Sequence, residues 1–280
     1  MSWIGRAVGR LVRPEPVVGV LRLSGPIGGG GRFSRGLDDA RLAEMIERAF
    51  SIRRVKAVAL AINSPGGSPA QSSLIARRIR DYATEKEVPV VAFCEDVAAS
   101  GGYYLACAAD EIYVDENSIL GSIGVISASF GLDQAIERIG VTRRLQTAGE
   151  HKSRLDPFLP EKPEDRAWLQ SIQERLHGNF IEFVVQARGA RLGDPPGDEL
   201  FSGEVWVGRD AVDKGLADGV GRLRPVMWER FGDRVRFEVV EPRRSLFQRL
   251  SGGGSSMAAD VVETGLDQLE ARAIWARYGL

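Results

Sequence analysis

Short apolar runs alternate with helix-patterned stretches along most of the chain. Val17–Leu23 and Val55–Ile62 are nearly continuous β-branched and aliphatic runs, the pattern of strands buried on both faces. Between them, Asp38–Phe50 places Leu42, Met45, Ile46 and Ala49 at helical spacing on one face. Ala70–Ala83 predicts a second helix and Pro89–Phe93 a third strand. Tyr103–Ala109 reads as helix, Ile112–Val114 as a short strand, Leu132–Ile139 as helix and Val141–Leu145 as strand. This β-then-α rhythm predicts the α/β class, with a largely parallel sheet and right-handed crossovers.

The second half is more helical. Pro163–Ala187 is one long helical segment with Glu164 and Asp165 near its start. Gly189–Gly197 is rich in Gly and Pro and reads as a loop. Glu204–Trp206 is strand-like, Arg209–Lys214 is a short helix ended by Gly215, and Arg234–Val240 alternates like a last strand. Ser251–Ser256 (SGGGSS) reads as a flexible linker, and Met257–Leu280 as an amphipathic helical tail. The predicted organisation is an N-terminal amphipathic segment (1–16), a main domain (17–250), and a linker with C-terminal helix (251–280).

Composition narrows the function classes only slightly. A chain of 280 residues can bury a large core. Its net charge of −1 gives no global field that would favour nucleic acid. The two cysteines, Cys94 and Cys107, make no disulfide framework and fit no metal spacing; they read as buried free thiols in a reducing compartment. No metal or cofactor is expected. Residues 1–13 (MSWIGRAVGRLVR) carry no secretory signal, and no run reaches the length of a membrane span, which predicts a cytoplasmic chain. The same residues make a basic amphipathic helix. It suits either peripheral contact with a membrane surface or docking on the protein itself.

Three glycine-bearing turns follow apolar runs and so fall at the carboxyl ends of strands, where open α/β sheets bind ligands. Asn63–Ser68 (NSPGGS) has adjacent glycines that bring backbone N–H groups close to a ligand, as in an oxyanion site; it also suits a plain strand-to-helix turn. It is not a phosphate loop, since neither GxxxxGK[ST] nor GxGxxG is present. Asp96–Tyr104 (DVAASGGYY) puts Ser100 among small residues between a strand and a helix. That is the placement of a nucleophile that generates an oxyanion, or of a serine N-cap. Ala98 rules out the GxSxG elbow. Gly121–Val125 (GSIGV) offers Ser122 as a hydrogen-bond partner for a nearby amine.

A nucleophilic serine needs a base. The chain has two histidines; His177 falls in the long amphipathic helix and reads as a surface residue. His151 neighbours Lys152 in Gly149–Ser153 (GEHKS). A lysine works as a general base only when neutral, a state that removal from water favours. The pattern leaves Lys152 open between that role and a solvated surface position.

SPGG at 64–67, DVAASGGYY at 96–104, GSIGV at 121–125 and GEHKSRLDPF at 149–158 together resemble the signal peptide peptidase A family of serine peptidases. FSGEVWVGRDAVDKGLADGVG at 201–221 resembles the same family's downstream signature. The resemblance runs from about Val17 to Leu223, with the motifs in order. It implies a Clp protease/crotonase-like fold of repeated ββα units. It also implies a Ser–Lys dyad of Ser100 and Lys152, oxyanion donors at Gly67 and Gly101, and Ser122 orienting the lysine amine. His151 replaces a tyrosine of the family motif and carries no implied role. The single domain copy implies the short form, a ring-like homo-oligomer in which neighbouring subunits help complete each site. The implied activity is endopeptidase cleavage of extended or unfolded peptides, remnant signal peptides among them.

Two other functions fit the same fold class. A crotonase-type acyl-CoA enzyme would use paired glycine N–H groups for a thioester enolate, with no need of Ser100 or Lys152. A non-catalytic oligomeric scaffold or chaperone-like ring would rest on the amphipathic termini and on oligomerisation.

Overall fold

The computed structural model describes residues 15–28, 36–242 and 275–279. The expected N-terminal amphipathic helix, the SGGGSS linker and most of the expected C-terminal helix lie outside them. The described residues form two compact units. The first comprises those up to Ile123 and from Phe183 onward; the second is Gly124–Glu182.

The first unit opens with β1 (Val17–Ser24), α1 (Asp39–Phe50), β2 (Val55–Ser64), α2 (Pro69–Lys86) and β3 (Val90–Ala99). There follow α3 (Gly101–Ala106), β4 (Glu111–Val114) and β5 (Ile119–Gly121). In the second unit, α4 spans Asp133–Arg138, and α5 (Pro163–Arg188) runs back into the first unit. The first unit closes with β6 (Val205–Val207), α6 (Arg209–Asp213), β7 (Gly219–Val220), α7 (Leu223–Phe231) and β8 (Arg236–Val239).

The sheet runs β6-β5-β3-β2-β1-β8, with β4 joining β3 to β7. Every described pairing is parallel except β5 with β6. The two faces of β1 explain the continuous apolar runs. Val18 and Val20 pack with Ala57, Ala59, Val91 and Phe93 around Met227 of α7. Gly19 points the other way, under α1, where a Cβ would stand 2.9 Å from the Ala49 carbonyl oxygen. With both faces covered, Leu21, Leu23, Leu60 and Ile62 are fully buried, each contributing about 2 kcal/mol by removal from water.

Capping follows local chemistry. Asp38 accepts from the Arg41 N–H at the start of α1, and Ser68 accepts from the Gln71 N–H before Pro69 opens α2.

One expected strand is absent. Val141–Leu145 pairs with nothing and is exposed throughout. Val141 N–H instead caps α4 by donating to Ile136 O (2.9 Å). Apolar spacing alone cannot make a strand without an edge to join. Of the segment expected as a tail helix, the described residues are 275–279, in which Trp275 is helical and residues 276–278 form a 3-10 turn.

Two polar ties are notable within the second unit. Arg143 bonds Asp156 at 2.8 Å and lies over the Phe158 ring, and Arg154 pairs with Asp165 and lies over Trp168. From Gly124 to Glu164 no residue is buried.

Candidate active site

Strand β3 is longer than its partners need. Its first half pairs with β4 and its second half with β5. Against β2 the register jumps: Ile62 faces Cys94, but Ser64 faces Ala98. The surplus residues of β3 bulge, and side chains brace the bulge. Asn63 Nδ2 donates to Asp96 Oδ2 (2.6 Å) and Asn63 Oδ1 accepts from Val97 N–H (3.2 Å). The Ser118 hydroxyl sits against the carbonyls of Cys94 and Glu95 and accepts from Asp115 N–H. A braced bulge of this kind re-aims the end of a strand, and it does so here just before Ser100.

Ser100 is the hinge between β3 and α3. Its backbone lies at φ 51°, ψ −122°, a conformation costing a non-glycine residue roughly 1–3 kcal/mol. The helix that follows holds it there: Tyr104 N–H donates to Ser100 O (3.0 Å), and Ser100 N–H donates to Gly121 O (2.8 Å). The Ser100 side chain makes no capping hydrogen bond. Ser100 thus holds the N-cap position of α3 without using its half-buried hydroxyl to cap the helix.

The glycine turn after β2 closes against it. A Cβ on Gly66 would stand 2.8 Å from Ser100 Cβ and 2.7 Å from Gly101 N; one on Gly101 would stand 3.3 Å from Gly67 N. Gly66 and Gly67 both have positive φ, 95° and 147°, so glycine is required for conformation as well as for space. The N–H groups of Gly67 and Gly101 thus come together beside Ser100. Neither donates within the first unit's described backbone network: Ile27 uses Gly66 O and Ser68 N–H, bypassing Gly67. Two adjacent unspent N–H groups next to a hydroxyl make an oxyanion-binding arrangement.

Ser122 lies directly after the Gly121 carbonyl that holds Ser100. It too has positive φ, 51°, and its N–H donates to Glu204 O (2.6 Å). Ser100, Gly67, Gly101 and Ser122 therefore share the first unit. Lys152 belongs to the second, exposed on the turn between Gly149 and Leu155.

A buried network steadies α3 from below. Tyr103, fully buried, donates to Leu216 O (2.9 Å). Arg188, 2% exposed, donates to Gly215 O and bridges Asp218 through both terminal nitrogens (2.8 and 3.1 Å). Asp218 also accepts from Ile112 N–H (2.7 Å). Burial alone would raise the Asp218 carboxyl, but the Arg188 and Ile112 bonds outweigh it and hold the group below its ordinary range. Tyr104 stacks on Phe183 of α5 at 4.1 Å. Burial pushes the Cys107 thiol up to about 12 and raises Cys94 as well, so both cysteines are buried, free and unreactive.

Sequence reasoning did not single out Gly66, Asn63, Asp96, Ser118 or the Arg188–Asp218 pair. The first three sit inside the motifs it quoted; the others had no local signal.

Comparison with known proteins bears on this geometry. Residues 82–229, just over half of the chain, match the model for peptidase family S49. The chain belongs to peptidase family S49. A Brucella abortus protein named as a Na(+)/H(+) antiporter is 47% identical over 276 residues, 95% of this chain and 37% of that protein. The chloroplastic serine protease SPPA of Arabidopsis thaliana is 34% identical over 226 residues, 76% of this chain and 33% of that protein. The chain thus spans about a third of the length of these relatives. Among solved structures, a membrane-bound stomatin-specific protease, 1510-N, matches with a TM-score of 0.50 at 14% identity, covering 82% of this chain and 100% of that one. The S49 fold, a Clp protease/crotonase-like α/β fold, is therefore the fold of this chain. No helix among the described residues is long and apolar enough to cross a membrane.

Proposed function

We propose that this S49 chain is a serine endopeptidase acting on extended or unfolded peptides through a Ser100–Lys152 dyad. The observation that carries the reading is Ser100 at positive φ, its hydroxyl uncapped, beside the paired N–H groups of Gly67 and Gly101. In the reaction, neutral Lys152 takes the Ser100 proton as Oγ attacks the peptide carbonyl carbon. The Gly67 and Gly101 N–H groups hold the oxyanion, each donor worth about 3 kcal/mol in comparable sites. The Lys152 ammonium then protonates the leaving amine as the C–N bond breaks. Water, deprotonated by the same amine, attacks the acyl ester and frees Ser100. Ser122 orients the lysine amine.

A homo-oligomer is part of this reading. Lys152 is exposed in the single chain, whereas a general-base lysine needs shelter from water. Ile126, Phe130, Ile139 and Val141 of the same unit are 68, 84, 74 and 52% exposed. Apolar surface on that scale is an interaction face, and a second copy seated on it would cover the unit that carries Lys152. Remnant signal peptides are one substrate class that fits.

A fluorophosphonate trap followed by peptide mass mapping tests the chemistry. The expected adduct is on Ser100, absent from Ser100→Ala. An unmodified Ser100 in active protein removes the proposal.

A further inference from the structure

Ile27 lies just beyond the end of β1 and is 3% exposed. Its N–H donates to Gly66 O (2.8 Å) and its carbonyl accepts from Ser68 N–H (2.8 Å). It therefore forms a one-residue parallel bridge with Gly67. In such a bridge the residue between the two bonded peptides turns its own N–H to the opposite edge. For Gly67 that edge faces Gly101: a Cβ on Gly101 would stand 3.3 Å from Gly67 N. The Ile27 side chain reaches the same place. Its Cδ1 would be 3.2 Å from that Cβ, and Ser72 Oγ, which donates to Ser68 O (2.9 Å), closer still.

Ile27 is itself held from the other side. Gly28 N–H donates to Leu37 O (2.7 Å) and Leu37 N–H donates to Pro26 O (2.8 Å), a second one-residue bridge. Leu37 leads into α1, where Asp39 N–H donates to Gln71 Oε1 (2.8 Å). The Asp39 carboxylate accepts two bonds from the Arg78 guanidinium, each 2.6 Å. Gln71 and Arg78 belong to α2, whose capping Ser68 directly follows Gly67. These contacts close a ring from Gly67 through Ile27, Leu37 and Asp39 to α2 and back. A buried side chain inside a closed ring has no slack, so a change in its bulk is felt by its neighbours.

We infer that Ile27 is a positioning residue of the oxyanion site: its backbone aims the Gly67 N–H, and its Cδ1 sets how closely Gly101 approaches. The inference deepens the peptidase reading and rests on it for the catalytic consequence. Buried as it is, Ile27 acts through the two donors rather than on substrate. Donors displaced by a fraction of an ångström lose hold of the charge that develops in the transition state, while binding of the uncleaved peptide is kept. The loss therefore belongs in kcat and not in KM.

Three variants of the full-length protein test this: Ile27→Val, which lacks the δ methyl, Ile27→Ala, and Ile27→Leu, which keeps a δ carbon. In peptide cleavage, kcat is expected to fall about 3-fold for Ile27→Val and about 10-fold for Ile27→Ala, with KM within about 2-fold and Ile27→Leu near the parent. Ile46→Ala, a fully buried site in α1, should lower the thermal midpoint and leave kcat unchanged. Inhibitor binding separates positioning from mere stability. A peptide aldehyde, whose hemiacetal oxygen with Ser100 needs both donors, should lose about 10-fold in affinity on Ile27→Ala, and the matching peptide alcohol none. Equal losses for both inhibitors, or an unchanged kcat in Ile27→Val and Ile27→Ala, overturn the role; if Ile27→Ala does not fold, Ile27→Val decides. Amide exchange in the Ser100→Ala background needs no activity. There Ile27→Ala should speed exchange of the Ile27 and Ser68 N–H groups about 10-fold, and unchanged exchange overturns the bridge as their anchor. A parent that neither cleaves peptides nor prefers the aldehyde to the alcohol removes the peptidase reading instead; faster exchange would then leave Ile27 a part of the fold alone, without a positioning role.

Discussion

The Ser100 N–H donates to the Gly121 carbonyl at 2.8 Å. That bond ties the serine's strained turn directly to the turn carrying Ser122. Strain at Ser100 is held by its surroundings: the braced β3 bulge before it, α3 after it and the Gly66–Gly67 turn beside it. A site built this way can be disturbed from several directions, each with its own signature.

Gly66→Ala introduces a Cβ 2.7 Å from Gly101 N at a φ of 95°. The new methyl must displace the Gly101 N–H, which the proposed reaction uses as an oxyanion donor. Loss of one such donor costs about 3 kcal/mol, so kcat should fall about 100-fold in steady-state peptide cleavage. The circular dichroism spectrum should keep its α/β shape.

Asn63→Ala removes the brace on the bulge and leaves the Val97 N–H without its partner. A part-buried lost hydrogen bond costs about 1–2 kcal/mol. Urea unfolding should show that loss, with kcat falling further than KM changes. Asp96→Ala, at an exposed position, should cost less in stability than Asn63→Ala.

Asp218→Asn leaves Arg188 buried beside a neutral partner. Breaking a buried pair from one side costs about 3 kcal/mol, which thermal unfolding at neutral pH should register. The Asp218 carboxyl is held below its ordinary value in the folded protein. Its contribution is therefore present in full above the unfolded-state value of about 4 and is lost as pH falls through the lower folded value. The variant should lose that part of the acid limb of the stability curve while remaining less stable at pH 7.

Phe130→Glu with Ile139→Glu places charge on the exposed apolar surface of the second unit. Light scattering after gel filtration should show a lighter particle than the parent protein, and peptide cleavage should fall with the mass. A parent that is already monomeric and fully active would refute the assembly part of the proposal.

Much of this architecture can be read directly from residue order. Val55–Ile62 announces a strand because burial on both faces demands an unbroken apolar run, and the structure extends it only to Ser64. Strands β5 and β7 have three and two residues, too few for any period to show. Helix α7, which the sequence reading did not predict, carries Pro225 within its first turn, where no N–H is needed. Val141–Leu145 had a strand's composition without an edge to pair with. At the site, Ser100 and the glycines were visible as motifs, because close approach and positive φ force small residues. The Arg188–Asp218 pair was not, since its parts lie thirty residues apart and meet only through the fold.

The dyad is tested most directly by comparing cleavage of unfolded casein by the parent protein, Ser100→Ala and Lys152→Ala at equal oligomeric mass. The proposal predicts that each substitution lowers turnover by about 10⁴-fold or more while the proteins stay folded and assembled. Turnover near the parent rate in either variant would contradict it.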